Sequence, residues 1–163
     1  MNVKTGNIFE SKCSTIVNAI NCVGVMEKGI ALDFKKKYPE MFMEYVLKCD
    51  RGEVKPGLPY VYHDENITIL NFPTKEHWRS PSKLSYIVDG LNWFVDNYEL
   101  YGITSIAFPP LGCENGGLSW NIVGPIMYQK LCNLPIDIEI YAPFGTNPAE
   151  LSLSGKLMDT MLI

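Results

Sequence analysis

The segment VNAINCVGVMEKGIALDFKKK, residues 17–37, decides the fold class. Val17-Asn18-Ala19-Ile20-Asn21 ends a short strand and runs into Cys22-Val23-Gly24-Val25-Met26-Glu27-Lys28-Gly29, and a helix begins at about Ile30. A strand, a glycine-bearing loop and a helix N-terminus in succession present backbone N–H groups to an anion, and the helix dipole reinforces them. Glycine lets the backbone approach a ligand with no Cβ in the way. Two better-known phosphate motifs fail on detail. Gly24 and Gly29 have the spacing of the two P-loop glycines, but Ile30-Ala31 stand where Lys-Ser/Thr is needed. The G-x-G-x-x-G dinucleotide signature is absent.

The segment PPLGCENGGLSW, residues 109–120, repeats the logic: a strand, a glycine-rich turn, then a helix from about Trp120. Most single glycine-rich loops only make turns. Two loops of this form above one sheet edge can hold a pyrophosphate from both sides.

Outward from these loops, short β-branched or aromatic runs predict strands at residues 3–5, 15–19, 60–63, 67–72, 105–109 and 139–142. Several are continuously apolar, as strands covered on both faces are. Helices are expected at 30–37 and 40–49, divided by Pro39. The clearest spans 82–100, where Leu84, Ile87, Val88, Leu91, Phe94, Val95 and Tyr98 form one stripe. Ser82 is its expected N-cap and Gly102 its stop. Another covers 120–131, with a bend expected at Gly124-Pro125, and Trp120 reads as a packing residue. Alternating strands and helices imply an α/β fold: a three-layer α/β/α sandwich on a mixed, mostly parallel six-stranded sheet. Ligands of such folds gather at the carboxyl ends of the strands, where both loops lie. Residues 1–145 read as one domain, and 146–163 as a last helix or a tail.

Composition bounds the function. The chain has 163 residues, 47% apolar and 20% charged, an ordinary globular balance. No apolar run approaches the ~20 residues of a membrane span and no signal pattern opens the chain, so a cytoplasmic protein with no membrane partner is expected. The sequon Asn66-Ile67-Thr68 then has no use. The cysteines are odd in number and scattered, and His63 and His77 are far apart, so neither a disulfide framework nor a metal site is expected. A net charge of −4 argues against broad capture of duplex DNA, not against one modified nucleotide.

Four motifs in order, VNAIN, GVMEKGIALDFKKKYPEMF, NFPTKEHWR and PPLGCENGGLSW, resemble the macrodomain family over nearly all of residues 1–145. The resemblance is closest to the branch with the DarG antitoxins and the terminal ADP-ribose protein glycohydrolases. It implies an ADP-ribose pocket lined by Asn7, Ile8, Asn21, Gly24, Val25, Met26, Lys28, Gly29 and Ile30. Opposite them stand Thr74 and the second-loop residues Leu111, Gly112, Cys113, Glu114, Asn115, Gly116, Gly117 and Leu118. The first loop is expected to hold the distal ribose, through Asn21, and part of the pyrophosphate. The second is expected to wrap the diphosphate, while Asn18 holds the first loop together.

The resemblance makes Lys75 the candidate for chemistry at C1″ of the distal ribose, since a desolvated lysine with a lowered pKa is a nucleophile. Asn7 stands where the family has an aspartate that accepts from the adenine amino group, and its carbonyl can still accept. Phe144 is read either as a cover for adenine or as a core or rim aromatic. Gly116 replaces the aspartate of protein-directed relatives, which points towards ADP-ribosylated, single-stranded DNA. Arg79 and the aromatics His77 and Trp78 suit a phosphate and an unstacked base. Glu27 replaces a glycine and can oppose a diphosphate, unless Lys28 compensates or both face solvent. Glu114 is either a local carboxylate for proton transfer or a solvated loop charge. The expected function is a metal- and cofactor-independent hydrolase removing ADP-ribose from DNA, with an ADP-ribosyltransferase toxin as a possible partner and a monomeric state. The alternatives are a non-catalytic reader and a hydrolase of protein-linked ADP-ribose or ADP-ribose-1″-phosphate.

Overall fold

The computed structural model describes residues 1–151. Six strands, β1 (Asn2–Lys4), β2 (Thr15–Ile20), β3 (Tyr60–His63), β4 (Thr68–Pro73), β5 (Ser105–Phe108) and β6 (Asp137–Tyr141), form one sheet in the order β1-β6-β5-β2-β4-β3. Each neighbouring pair is parallel except β3–β4. The helices are α1 (Gly29–Lys37), α2 (Pro39–Asp50), α3 (Leu84–Asn97) and α4 (Trp120–Leu131). A short 3-10 helix, Ile8–Glu10, had no counterpart in the sequence reading.

Strand periodicity assigns residues to two cores. Val17, Leu70, Phe72, Ile106 and Phe108 point to one face, against Ile87, Leu91 and Phe94 of α3 and Val123, Met127 and Leu131 of α4. The alternate residues Ile16, Ile20, Ile69 and Ala107 point to the other, against Ala31 and Phe34 of α1 and Met41 and Tyr45 of α2. Each face is covered by two helices, giving the three layers.

Two expectations for α3 change. It starts at Leu84 with Lys83 as N-cap and no capping side chain. Ser82 is instead buried beneath the second loop, its N–H donating to the Gly116 carbonyl at 3.0 Å. The helix ends at Asn97, followed by a turn in which the Gly102 N–H reaches the Glu99 carbonyl and the Ile103 N–H the Tyr98 carbonyl, both at 3.0 Å. Gly102 sits at φ +66°, the left-handed residue that such a helix stop needs. α4 is a single helix that contains Pro125. Residues 148–151 form a helical turn, and Leu151 joins the α3–α4 core. The rest of the helix expected at the C-terminus lies outside the described residues.

Candidate functional site

A cleft of about 590 Å³ opens where the five parallel strands end. It is bounded by Gly6–Phe9 after β1, Asn21 after β2, Thr74-Lys75 after β4, the Pro109–Gly116 loop after β5, and Ala142 with Phe144 after β6. Parallel strands bring every loop that leaves a carboxyl end to the same edge of the sheet, and the sheet thereby assembles the cleft.

One wall is the N-terminus of α1. Gly29, Ile30 and Ala31 line the cleft, and the first N–H groups of a helix have no intrahelical acceptor. Lys28 is the N-cap, and its side chain makes no capping hydrogen bond. The preceding loop is organised by Asn21, whose Nδ2 donates to the Val25 carbonyl at 2.7 Å while Oδ1 accepts from the Val23 N–H at 3.1 Å. Beneath it, Asn18 Nδ2 donates to Asn71 Oδ1 at 3.1 Å, across the β2–β4 register. Glu27 also lines the cleft, but its carboxylate is paired with Lys35 on α1 at 2.8 Å.

Lys75 ties the loop after β4 to the second glycine-rich loop. It leaves the end of β4, and its Nζ donates to the Asn115 carbonyl at 2.5 Å and lies 3.5 Å from the Trp78 carbonyl. Burial, and then the positive charge of Lys28, hold its pKa below the ordinary lysine value. Asn115 leans back towards α1: a Cβ on Gly29 would stand 2.7 Å from Asn115 Nδ2. In the same loop, a Cβ on Gly116 would run into Ser82 Oγ and the Gly112 carbonyl. No side chain, acidic or otherwise, fits at position 116.

The ends of the cleft are aromatic. Phe144 is 99% exposed, with no protein surface against its ring. Near it Asn7 Oδ1 accepts from the Phe9 N–H at 3.0 Å, capping the 3-10 helix, and Phe9 packs at a 57° tilt against Phe34 of α1 with ring centroids 4.8 Å apart. At the other end Trp78 is 42% exposed and lies between His77 (ring centroids 5.3 Å apart) and Arg79, whose guanidinium carbon is 4.4 Å from the indole centroid.

Of the residues expected in the pocket, Asn7, Ile8, Asn21, Val25, Lys28, Gly29, Ile30 and Thr74 line the cleft. So do Lys75, Trp78, Gly112, Glu114, Asn115, Gly116 and Phe144. Others lie elsewhere. Met26 and Leu111 have no exposed surface and belong to the two cores. Gly24, at φ +81°, turns the loop against Val46 and Cys49 of α2. Cys113 donates to the Leu111 carbonyl, and burial pushes its thiol up to about 12, so it is no nucleophile. Gly117 and Leu118 close the second loop, with the Leu118 N–H on the Gly112 carbonyl at 2.9 Å and its side chain on the α3–α4 core. His77 and Arg79 flank Trp78 outside the cleft lining.

The sequence reading missed Pro109, Pro110, Tyr141 and Ala142, which the strand-end rule finds once β5 and β6 are placed. It also missed Asp33, one turn along α1 from Ile30, and the pair Gly6 and Phe9. Helical spacing contained the signal for Asp33, whereas the 3-10 turn that brings in Phe9 left none. Among the described residues no group of His, Cys, Asp and Glu is placed to hold a metal ion, and no helix is long and apolar enough to cross a membrane.

With this three-layer sandwich and its strand-end cleft, the chain belongs to the Macro domain family, matched over residues 17–127. It is 43% identical over 159 residues to the DNA ADP-ribosyl glycohydrolase of Mycobacterium tuberculosis, covering 94% of this chain and 45% of that protein. It is 37% identical over 172 residues to a DNA ADP-ribosyl transferase–DNA ADP-ribosyl glycohydrolase fusion protein of Thermosipho africanus, covering 94% and 44%. The chain thus spans a little under half the length of these relatives. Among solved structures, the macrodomain of Mycobacterium tuberculosis DarG superposes with a TM-score of 0.82 at 44% identity, covering 86% of this chain and 97% of that one. Thermosipho africanus DarTG in complex with ADP-ribose gives 0.86 at 37% identity, covering 95% and 45%.

Proposed function

We propose that this domain binds ADP-ribose in the cleft and removes it hydrolytically from DNA. The observation that carries the reading is Lys75: an amine of lowered pKa at the carboxyl end of β4, held on the second loop and facing the charge of Lys28 in the first. The uncapped N–H groups of α1 and Lys28 favour a diphosphate at the middle of the cleft. That leaves the distal ribose towards Lys75 and Trp78, and adenine towards Asn7 and the exposed ring of Phe144. Aromatic rings left uncovered by protein suit the faces of nucleobases.

In the proposed chemistry the neutral Lys75 amine attacks C1″, forming the N–C bond with its own electron pair. The electrons of the bond to the base leave with the base, which takes up a proton. Water then displaces the lysine and restores the amine. Trp78, with Arg79 stacked on it, would receive a neighbouring base and phosphate of single-stranded DNA. The names of the relatives support DNA as the carrier, and the fusion protein supports an ADP-ribosyltransferase as the opposing partner. The steric need for glycine at 116 supports the same reading, because it removes the acid of the protein-directed relatives.

The test is incubation with a thymidine-ADP-ribosylated oligonucleotide and, in parallel, with ADP-ribosylated protein. Release from DNA that is lost in Lys75→Ala, by about 100-fold or more in kcat, with ADP-ribose affinity kept within about tenfold, is the expected result. Tight binding with no turnover of either substrate would leave only a reader of ADP-ribose. Release from protein alone would move the substrate class.

A further inference from the structure

We infer that Asp33 is a base-reading residue: its carboxylate accepts a hydrogen bond from the exocyclic amino group of adenine, beside the contact open to Asn7, and makes the cleft select an amino-purine over a purine that lacks the group. The inference deepens the reading that the cleft takes ADP-ribose and rests on it.

Asp33 lines the cleft from α1, one turn beyond Ile30 on the same face of the helix. It stands about 6 Å along the axis from Gly29, past the N–H groups at the helix start that suit the diphosphate. Its neighbours place it at the base end. Phe34, the next residue, packs on Phe9 with ring centroids 4.8 Å apart, and Lys37, one turn further along α1, holds its Nζ 5.1 Å over the same Phe9 ring. Phe9 follows Asn7 and Ile8, so the Asn7–Phe9 segment and Asp33 bound one end of the cleft.

Three carboxylates line the cleft, and they differ in what they face. Glu27 is paired with Lys35 at 2.8 Å. Glu114 belongs to the second loop, next to the Asn115 carbonyl that holds Lys75. Asp33 is exposed and, among the described residues, has no ion pair and no side-chain hydrogen bond, although Lys36 and Lys37 follow it at three and four positions along the helix. A carboxylate opposes a phosphate and suits a hydrogen-bond donor. Asn7 offers the base less than a free amide would, because its Oδ1 already accepts from the Phe9 N–H and keeps one acceptor site. The adenine amino group has two hydrogens, and Asp33 supplies the further acceptor at that end.

The test compares ADP with purine riboside 5′-diphosphate, which has hydrogen in place of the amino group and the same ribose and diphosphate. ADP-ribose is the third probe, and affinities are measured by calorimetry for the wild-type chain, Asp33→Ala and Asp33→Asn. The readout is the ratio of ADP to purine affinity within each protein, so the loss of a negative charge near the shared diphosphate cancels. The wild-type chain should prefer ADP by about tenfold, and Asp33→Ala should lower that ratio by about threefold or more. Asp33→Asn keeps an acceptor oxygen without the charge, and its ratio should fall between the two. A smaller change in Asp33→Ala, or a wild-type chain that does not distinguish the two diphosphates, overturns the inference and leaves Asp33 a solvated charge. ADP-ribose separates that failure from the failure of the reading beneath it. Binding of ADP-ribose with an unmoved ratio sinks the role of Asp33 alone, whereas no binding of ADP-ribose by the wild-type chain sinks both.

Discussion

Lys75 carries an ammonium that two effects disfavour in the same direction. Partial burial removes water from the charge, and Lys28 adds a like charge to the same cleft. A neutral amine is the nucleophile, so activity should rise with pH and level off above the Lys75 pKa, with the limb displaced below its ordinary lysine position. The sign for Lys28→Met follows: removing a positive neighbour makes protonation of Lys75 easier, raises its pKa and moves the limb to higher pH. The measurement is kcat/KM against pH, which reports the free protein and avoids the opposing pull of the bound diphosphate. An unmoved limb in Lys28→Met, with only KM raised, would reduce Lys28 to a diphosphate contact. Gly116 shows a different kind of residue-scale control. Its glycine is required because Ser82 and the Gly112 carbonyl already fill the space a Cβ would take. Packing thus keeps an acid out of this position of the second loop.

At the scale of elements, α3 reaches β4 through one glycine. A Cβ at Gly90 would overlap the ring of Phe72, which has no exposed surface and no room to retreat. Gly90→Ala gains helix propensity, worth about 1 kcal/mol, but overpacking a core costs about 1–3 kcal/mol, so net destabilisation is expected. Chemical denaturation should show it, and Phe72→Leu should recover part of the loss in the double variant. Such a contact is invisible in the sequence, where Gly90 reads only as a weak point in an otherwise strong stripe. What was legible obeys local physics. Every strand was found within two residues because each is a short buried run between turn residues, and Pro39 and Gly102 mark their boundaries by backbone constraint. What was not legible depends on distant partners. Ser82 looks like a cap but serves as the floor of the second loop. Met26 and Leu111 sit inside ligand-like motifs yet face the cores, since a glycine-rich loop alternates its exposure in ways that no period predicts. Tyr45 reads as a core aromatic, and nothing local announces that its hydroxyl reaches Asn21, 24 residues away.

Across the whole molecule, charge and boundary are linked to the cleft. The net charge is −4, yet two lysines meet at the cleft while Glu27 is diverted to Lys35. Asp33 and Glu114 in the same lining offset the two lysines, so what favours an anion there is the backbone N–H groups at the start of α1. The boundary question concerns where the folding unit stops. Among the described residues, 1–145 contain every strand and the cleft lining, but Leu151 is 5% exposed and lies on the α3–α4 core, where a Cβ on Gly124 would come within 2.8 Å of its Cδ1. Gly124 thus makes room for a residue six positions beyond the boundary suggested by the motifs. If that contact belongs to the folding unit, Leu151→Ala opens a cavity and should cost about 2–4 kcal/mol, lowering Tm by about 5–15 °C for a chain of this size. ADP-ribose affinity should stay unchanged, because Leu151 packs on the face opposite α1 and α2. A loss below about 0.5 kcal/mol would mark Leu151 as peripheral and place the end of the domain before residue 146. Thermal unfolding of the full chain, with and without ADP-ribose, separates the two outcomes.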